Sequence, residues 1–160
     1  MILDPKKHRF RTWSGLCRLS LWAWCCLVLI DPHTDAQAKD ASNLHVIIYG
    51  LPNDLGNVHI ALYDDPEKFP NHDGMLLDIE VPISNRRAHY SFSSLDHKDY
   101  AIAVYHDAND NNSFDQGFLG IPLEDYAFSN NAKVFLQPPS FLDAAFTLSE
   151  TKKIFIQIGN

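Results

Sequence analysis

Five residues between positions 107 and 115 have the spacing of a calcium-binding loop. Asp107, Asn109, Asn111 and Asp115 stand at positions 1, 3, 5 and 9 of such a loop, and Ser113 offers its carbonyl oxygen at position 7. Ca²⁺ takes about six to eight hard oxygen ligands, which alternating Asp and Asn residues on a curved loop can supply. The spacing therefore predicts a cation site with Ca²⁺ as the expected ion and cofactor.

Two positions depart from the usual calcium-loop pattern. Asn112 stands where glycine is usual at the sharp turn, and Asn tolerates left-handed backbone better than most residues. Phe118 stands where a bidentate Glu is usual, so Glu124, Asp125 or water could complete the shell. Asn and Asp also bond to their own backbone in Asx-turns without any ion. The same residues therefore also fit a loop that holds no cation.

The same stretch offers an alternative set for catalysis. His106, Asp107 and Glu124 would serve a periplasmic hydrolase or a metal-dependent enzyme. If the strand that ends at His106 continues, however, His106 and Asp107 point to opposite faces and cannot form an acid–base pair. A hydrogen bond that orders the loop is the favoured role of His106. The sequence contains no nucleophile elbow, phosphate-binding glycine loop or zinc-protease motif, so we assign no catalytic residue and favour a non-enzymatic protein.

Alternation of apolar and polar residues predicts that β-strands position this loop. The runs 44–49 and 58–63 both alternate, and the turn-forming segment 50–56 between them predicts a hairpin. Further strands are expected over 75–83, 88–95, 100–107, 133–136, 142–148 and 153–158. The run 100–105 is apolar on both faces, which indicates a central strand. Seven or eight short strands predict an all-β fold, a single β-sandwich of immunoglobulin- or transthyretin-like architecture.

The stretch from 106 to about 132 breaks the strand rhythm. Long loops without regular structure are usually functional or disordered, and the apolar residues here argue against disorder. Phe118, Tyr126 and Phe128 are expected to form a small core of the loop rather than a stacking surface for glycans. His45 and His59 are expected on the solvent side of their strands, which argues against a zinc or copper site. We therefore expect the protein to bind through the 107–132 loop.

The residues that precede the strands are typical of an export signal. Basic residues between Lys6 and Arg18 precede the apolar run 19–30, which is shorter than the roughly 20 residues that cross a bilayer. Ala36 and Ala38 then stand at the −3 and −1 positions of a signal-peptidase site. We expect a signal peptide over 1–38 and a β-sandwich domain over 39–160. The domain would be exported, to the periplasm or outside the cell, with no membrane span after cleavage.

Cleavage at this site leaves an acidic domain without cysteine. All three cysteines of the 160-residue chain lie before residue 38. That segment also carries five of the 13 Lys and Arg residues and three of the 20 Asp and Glu residues, which leaves eight basic and 17 acidic residues, a net charge of −9. This charge argues against nucleic acid, because phosphate contacts need clustered Lys and Arg. A cation, a glycan, a peptide or another protein remains as the partner.

Several segments together resemble the bacterial domain of unknown function 2141 family. They read YHDANDNNSFD from Tyr105, FLGIP from Phe118, YAFSNNA from Tyr126 and PPSFLDAAF from Pro138, with IALYD and a Phe-Pro pair upstream. The resemblance covers about 44–158 and implies an exported β-sandwich of a Gram-negative-type bacterium, with no activity assigned. The chain departs from the family pattern at Asp99, where glycine is usual, so a differently built turn is expected there.

Overall fold

The computed structural model describes residues 40–159, which fall within one compact unit. The expected signal peptide, 1–38, lies outside the described residues. The strands are β1 (Ala41–Tyr49), β2 (Asn57–Tyr63), β3 (Leu77–Pro82), β4 (Arg87–Asp96), β5 (Lys98–Asp107), β6 (Tyr126–Phe128), β7 (Phe146–Leu148) and β8 (Lys152–Gln157). A four-residue helix, α1 (Phe141–Ala144), and single 3₁₀ turns at His72–Gly74, Phe118–Gly120 and Ser129–Asn131 complete the described part. No helix among these residues is long and apolar enough to cross a bilayer.

The strands form two sheets, and the expected all-β sandwich-like fold is confirmed. The first sheet has the order β4-β1-β8, in which β1 pairs antiparallel with β4 and parallel with β8. The second has the order β3-β2-β5-β6, and β7 also pairs with β5. Strand β5 therefore lies centrally, as its two apolar faces predicted. Its last residue, Asp107, begins the loop of interest.

The main core lies between the sheets and follows the alternation in the sequence. One face of each inner strand is fully buried, such as Val46 and Ile48 of β1 and Ile60 and Leu62 of β2. Tyr100 of β5 joins them and donates a hydrogen bond from its hydroxyl to the carbonyl of Asp96. Side chains in a strand alternate between its two faces. The residues that alternate with these buried ones therefore lie on the outer face of each sheet, the face turned away from the main core.

A second, smaller core covers that outer face of the second sheet. Its members are Ala61, Tyr63, Phe69, Ala101, Phe128, Phe141 and Ala144. Phe69 makes edge-to-face contacts with Tyr63, Phe128 and Phe141, with ring centroids 5.1, 5.7 and 5.9 Å away. The segments that follow β2 and β5 thus fold back over the sheet. This packing fixes the base of the candidate site.

The expected hairpin between β1 and β2 is wrong, because these strands lie in different sheets. The connection between them packs against the first sheet at its start and against the second sheet at its end. A Cβ on Gly50 would lie 2.7 Å from the carbonyl oxygen of Ile158, beside β8, and a Cβ on Gly56 would lie 1.8 Å from that of Asp107, in β5. Both glycines also have positive φ angles, 87° and 65°, which favour glycine. The segment 50–56 therefore crosses from the first sheet to the second.

Two further strand predictions need correction. Residues 133–136 form no strand and contribute only the isolated bridge between Phe135 and Gln137. Residues 142–148 begin in helix α1 and become extended only at β7. A capping box starts that helix, because Ser140 accepts from the backbone of Asp143 while the Asp143 side chain accepts from the backbone of Ser140. The short strand β6 was not expected, since it lies within the segment taken as one loop.

Candidate functional site

Asp107 ties the following loop to the end of β5. Its side chain is completely buried, and its two carboxylate oxygens accept hydrogen bonds from the backbone N–H groups of Asn111 (3.1 Å) and Asn112 (2.7 Å). Asn112 has a φ angle of 58°, which confirms the left-handed turn expected at this position. The loop backbone is thus curled around the Asp107 carboxylate.

Two of the predicted ligands, Asn109 and Asn111, bond to a third, Asp115. The side-chain amides of Asn109 and Asn111 donate to the Asp115 carboxylate at 2.8 and 3.1 Å. The Asn111 side-chain oxygen accepts from the backbone N–H of Ser113 at 2.9 Å. The structure therefore places Asn109, Asn111 and Asp115 together, with Ser113 in the adjoining turn and Asp107 bonded to the backbone beneath them.

Glu124 returns to this cluster from the far end of the loop. One of its carboxylate oxygens accepts from the backbone N–H of Asp115 at 3.0 Å, and the other is buried without a hydrogen-bond partner. Burial raises the pKa of Glu124, the bond from the Asp115 N–H opposes this, and the charges of Asp107 and Asp115 raise it further. Of Glu124 and Asp125, it is thus Glu124 whose side chain bonds to the backbone of Asp115.

Within residues 40–159, no group of three or more His, Cys, Asp or Glu side chains is arranged to hold a metal ion. The predicted set relies instead on two carboxylates, two amides and one backbone carbonyl, and Glu124 is bonded to the backbone beside them. In the structure the amides of Asn109 and Asn111 turn their N–H groups toward Asp115, so the cluster is internally hydrogen-bonded. The cation site remains a prediction.

His59 lies beside Asp107, and the expectation that it faces solvent is wrong. Its ring is buried and stacks on Tyr105, the residue opposite it in the sheet, with centroids 4.6 Å apart. Its Nε2 atom has no hydrogen-bond partner and lies 3.6 Å from Oδ2 of Asp107. Alternation assigned His59 to the outer face correctly, but it could not show that this part of the face is buried. His45, by contrast, is only half-buried, and its Nδ1 bonds to Ser91.

His106 orders a different loop from the one expected. Its Nε2 atom bonds to the carbonyl oxygen of Leu55 at 2.7 Å, within the connection between β1 and β2. His106 and Asp107, as neighbours in one strand, lie on opposite faces of the sheet. His106, Asp107 and Glu124, the residues of the enzyme alternative, each bond to backbone groups. They do not converge on a common cleft.

A groove, lined in part by residues of the 107–132 loop, lies over the outer face of the second sheet. Its volume is about 420 Å³, and its aromatic residues include Tyr63, Tyr105, Phe114, Tyr126 and Phe128. Phe114 packs against Tyr105 and Tyr126, with centroids 5.3 and 5.7 Å away. None of the residues that line the groove is charged.

The small core expected within the loop forms around Tyr126 and Phe128, which are half-buried and buried. Their rings meet edge to face, with centroids 6.0 Å apart. Phe118 takes no part in this core and is exposed to solvent. The sequence could not separate these aromatics, because all three stand in the same irregular stretch.

The family model described as "Uncharacterized protein conserved in bacteria (DUF2141)" matches residues 46–155. The chain belongs to the DUF2141 family. In this DUF2141 protein, the matched range runs from within β1 to within β8 and includes both the Asp107 loop and the groove. The comparisons with curated proteins and with solved structures gave no match.

The one departure from the DUF2141 pattern, at Asp99, does not lie in a turn. Asp99 is the second residue of β5 and pairs with Thr147 of β7. Its carboxylate accepts a hydrogen bond from the Thr147 hydroxyl at 2.6 Å. The expected difference in a turn is therefore wrong, and Asp99 instead forms a polar cross-strand pair with Thr147.

Proposed function

We propose that this DUF2141 protein is an exported, non-enzymatic binding module that binds its partner through the 107–132 loop and the groove beside it. The observation that carries the proposal is the uncharged, aromatic groove in an otherwise acidic domain. Concave apolar sites with a few polar groups are the usual binding sites of proteins. Gln116 and Gln137 provide such polar groups at this site.

The proposal includes Ca²⁺ as the ion that stiffens the loop. Asp107, Asn109, Asn111, Ser113 and Asp115 would supply oxygen ligands, and the unpaired Glu124 oxygen would complete them. The Asn109 and Asn111 amides would have to rotate to present oxygen instead of N–H to the ion. This rotation would break their hydrogen bonds to Asp115 and replace them with bonds from the amide oxygens to Ca²⁺. A cation would also neutralise the carboxylates that raise the pKa of Glu124.

Export is supported by the basic start, the apolar run 19–30 and the small residues before Lys39. In an oxidising compartment, a domain without cysteine has no thiol to protect. The absence of cysteine from residues 39–160 is therefore consistent with this location.

Thermal unfolding of the exported protein in EGTA and across a Ca²⁺ titration tests the ion. A ligand that binds only the folded state stabilises it by about 1.4 kcal/mol at nine times Kd, so the midpoint rises with Ca²⁺. Asp115→Asn should abolish the rise, and Asp73→Asn, which removes an exposed carboxylate outside the loop, should retain it. An unfolding midpoint that does not change with Ca²⁺ would mean that the loop is held by Asx-turns without an ion.

An uncharged fluorescent probe, N-phenyl-1-naphthylamine, tests the groove. We expect its emission to rise on binding and Ala103→Leu, which narrows the groove floor, to reduce that binding at least about tenfold. Ala145→Leu serves as the matched control, because Ala145 is also half-buried but does not line the groove. Absence of probe binding would contradict the groove as the binding site.

A further inference from the structure

Two loop tips expose large apolar side chains at the mouth of the groove. We call residues 117–123 the first apolar tip and residues 134–138 the second. Phe118 and Leu119 of the first are 87% and 81% exposed, and Phe135 and Leu136 of the second are 83% and 93% exposed. Both tips contribute residues to the wall of the same groove. They therefore form one continuous apolar surface.

Backbone conformation presents a leucine outward at each tip. Leu119 and Leu136 have φ angles of 64° and 63°, in the left-handed region that disfavours residues with side chains. The first tip is nevertheless firmly held, because Gly117 N–H donates to Ile121 O and Leu123 N–H donates to Asp115 O, at 2.8 and 2.9 Å. Strained residues of this kind cluster where proteins contact ligands.

Charge is excluded from both tips and from the groove between them. Residues 116–123 and 134–142 contain no Asp, Glu, Lys or Arg, although the chain from 39 onward carries 17 acidic and eight basic residues. The carboxylates of Asp115, Glu124 and Asp125 flank the first tip in the chain, and the exposed Lys133 directly precedes the second. An apolar surface that carries no charge of its own is complementary to a medium that is itself apolar and uncharged.

The geometry points to a zwitterionic lipid surface as the partner, with the two apolar tips entering its hydrocarbon edge. This assignment rests on the proposed function, since it names the partner of the same loop. Side chains that are more than 80% exposed stand clear of their own protein. A fluid lipid surface surrounds such projections, whereas a protein partner would need a fitted cleft for each. Beside the two tips three carboxylates outnumber one lysine, and this excess of negative charge would oppose anionic headgroups, which selects zwitterionic lipid.

Flotation with phosphatidylcholine–phosphatidylethanolamine vesicles in Ca²⁺-containing buffer tests this inference. The protein is used as an expressing bacterium exports it, with its N-terminus established by mass spectrometry. Wild type should float with the vesicles, and Leu119→Asn/Leu136→Asn should bind at least about tenfold more weakly. Asn tolerates left-handed backbone, so this variant should fold at least as well. Leu142→Asn is the matched control, because Leu142 of α1 is 83% exposed but lies outside both tips.

Loss of flotation in the double variant but not in the control would support the inference. It would be overturned by wild type that fails to float, by equal binding of all three proteins, or by stronger binding to vesicles that contain phosphatidylglycerol. Tip-dependent dimers in sedimentation velocity, without flotation, would also overturn it and assign the tips to a second copy of the chain. The naphthylamine probe separates the two proposals. If the probe binds without flotation, only the lipid assignment fails, and if neither occurs, both fail.

Discussion

The Nε2 atom of His59 lies 3.6 Å from the Oδ2 atom of Asp107, within ion-pair distance but beyond a hydrogen bond. Both residues are buried, one in β2 and the other at the end of β5. Nδ1 of His59 lies 3.8 Å from Oδ1 of Asp78, on β3. The base of the candidate site therefore places an imidazole between two carboxylates that belong to its neighbouring strands.

Replacing His59 should separate the packing of its ring from the polarity of its nitrogen. His59→Phe keeps a ring against Tyr105 and removes a buried nitrogen without a hydrogen-bond partner, so the free energy of unfolding should change by no more than about 1 kcal/mol. His59→Ala removes the ring and should lower it by about 2–4 kcal/mol. Urea unfolding measures both. Equal losses in the two variants would mean that the nitrogen contributes the stability.

Ser129 should be among the most sensitive polar residues of the domain. Its buried hydroxyl accepts from the backbone N–H of Ile102 at 2.9 Å and donates to the carbonyl of Ala144 at 2.6 Å. Ser129→Ala leaves both backbone groups buried without this partner and should cost about 2–4 kcal/mol in urea unfolding. Ser93→Ala, at an exposed position in β4, should change stability by less than about 0.5 kcal/mol.

Tyr63 should make the domain sensitive to alkali. Burial raises the pKa of Tyr63 to about 12, and the charge of Asp78 adds to this. Tyrosine in an unfolded chain has a pKa of about 10, so as pH rises the unfolded state loses this proton before the folded state does. The free energy of unfolding therefore keeps the full effect of this raised pKa below pH 10 and falls by about 2 kcal/mol as pH rises to 12.

Tyr63→Phe tests this dependence. The variant loses the hydrogen bond to the Pro70 carbonyl, at 3.1 Å, and should be about 1 kcal/mol less stable at pH 8. Between pH 10 and 12 its free energy of unfolding should fall less steeply than that of wild type. Urea unfolding at several pH values gives the two slopes. Identical slopes would show that Tyr63 is not the residue responsible.

Glu124 should set the strength of the calcium response. Glu124→Gln keeps an oxygen that can accept from the Asp115 N–H, but it removes the negative charge. Because ligand charge governs Ca²⁺ affinity, the concentration that raises the unfolding midpoint should increase at least about tenfold. Asp125→Asn, at the exposed neighbouring position, should titrate as wild type does. If the two variants respond alike, Glu124 is not a ligand.

Export should shorten the chain at its N-terminus. We expect the protein recovered from the periplasm or medium of a Gram-negative host to begin at Lys39, after Ala36-Gln37-Ala38. Intact mass measurement identifies the cleavage point. Ala38→Leu should block processing, because the −1 position requires a small residue. A full-length mass for the exported wild type would contradict the assignment of 1–38 as a signal peptide.

The sequence by itself determined the fold class and the sharp turn at the start of the loop. Alternation identified β5 as a central strand, and the spacing of Asp107 and Asn112 predicted a sharp left-handed turn that the structure has. Both are local properties, because strand alternation and Asx-turns depend on residues a few positions apart. The resemblance to the DUF2141 family over about 44–158 was confirmed by the family match over 46–155.

Only the tertiary structure decided which surfaces are covered. The tertiary structure brings Glu124 to the backbone of Asp115 and buries His59, which alternation alone placed in solvent. Strand β1 pairs with β8 from the far end of the chain instead of with β2. Pairing partners and covered faces depend on contacts between residues distant in sequence, whose gain in burial is a property of the whole domain. No local pattern around His59 or β1 carries that information.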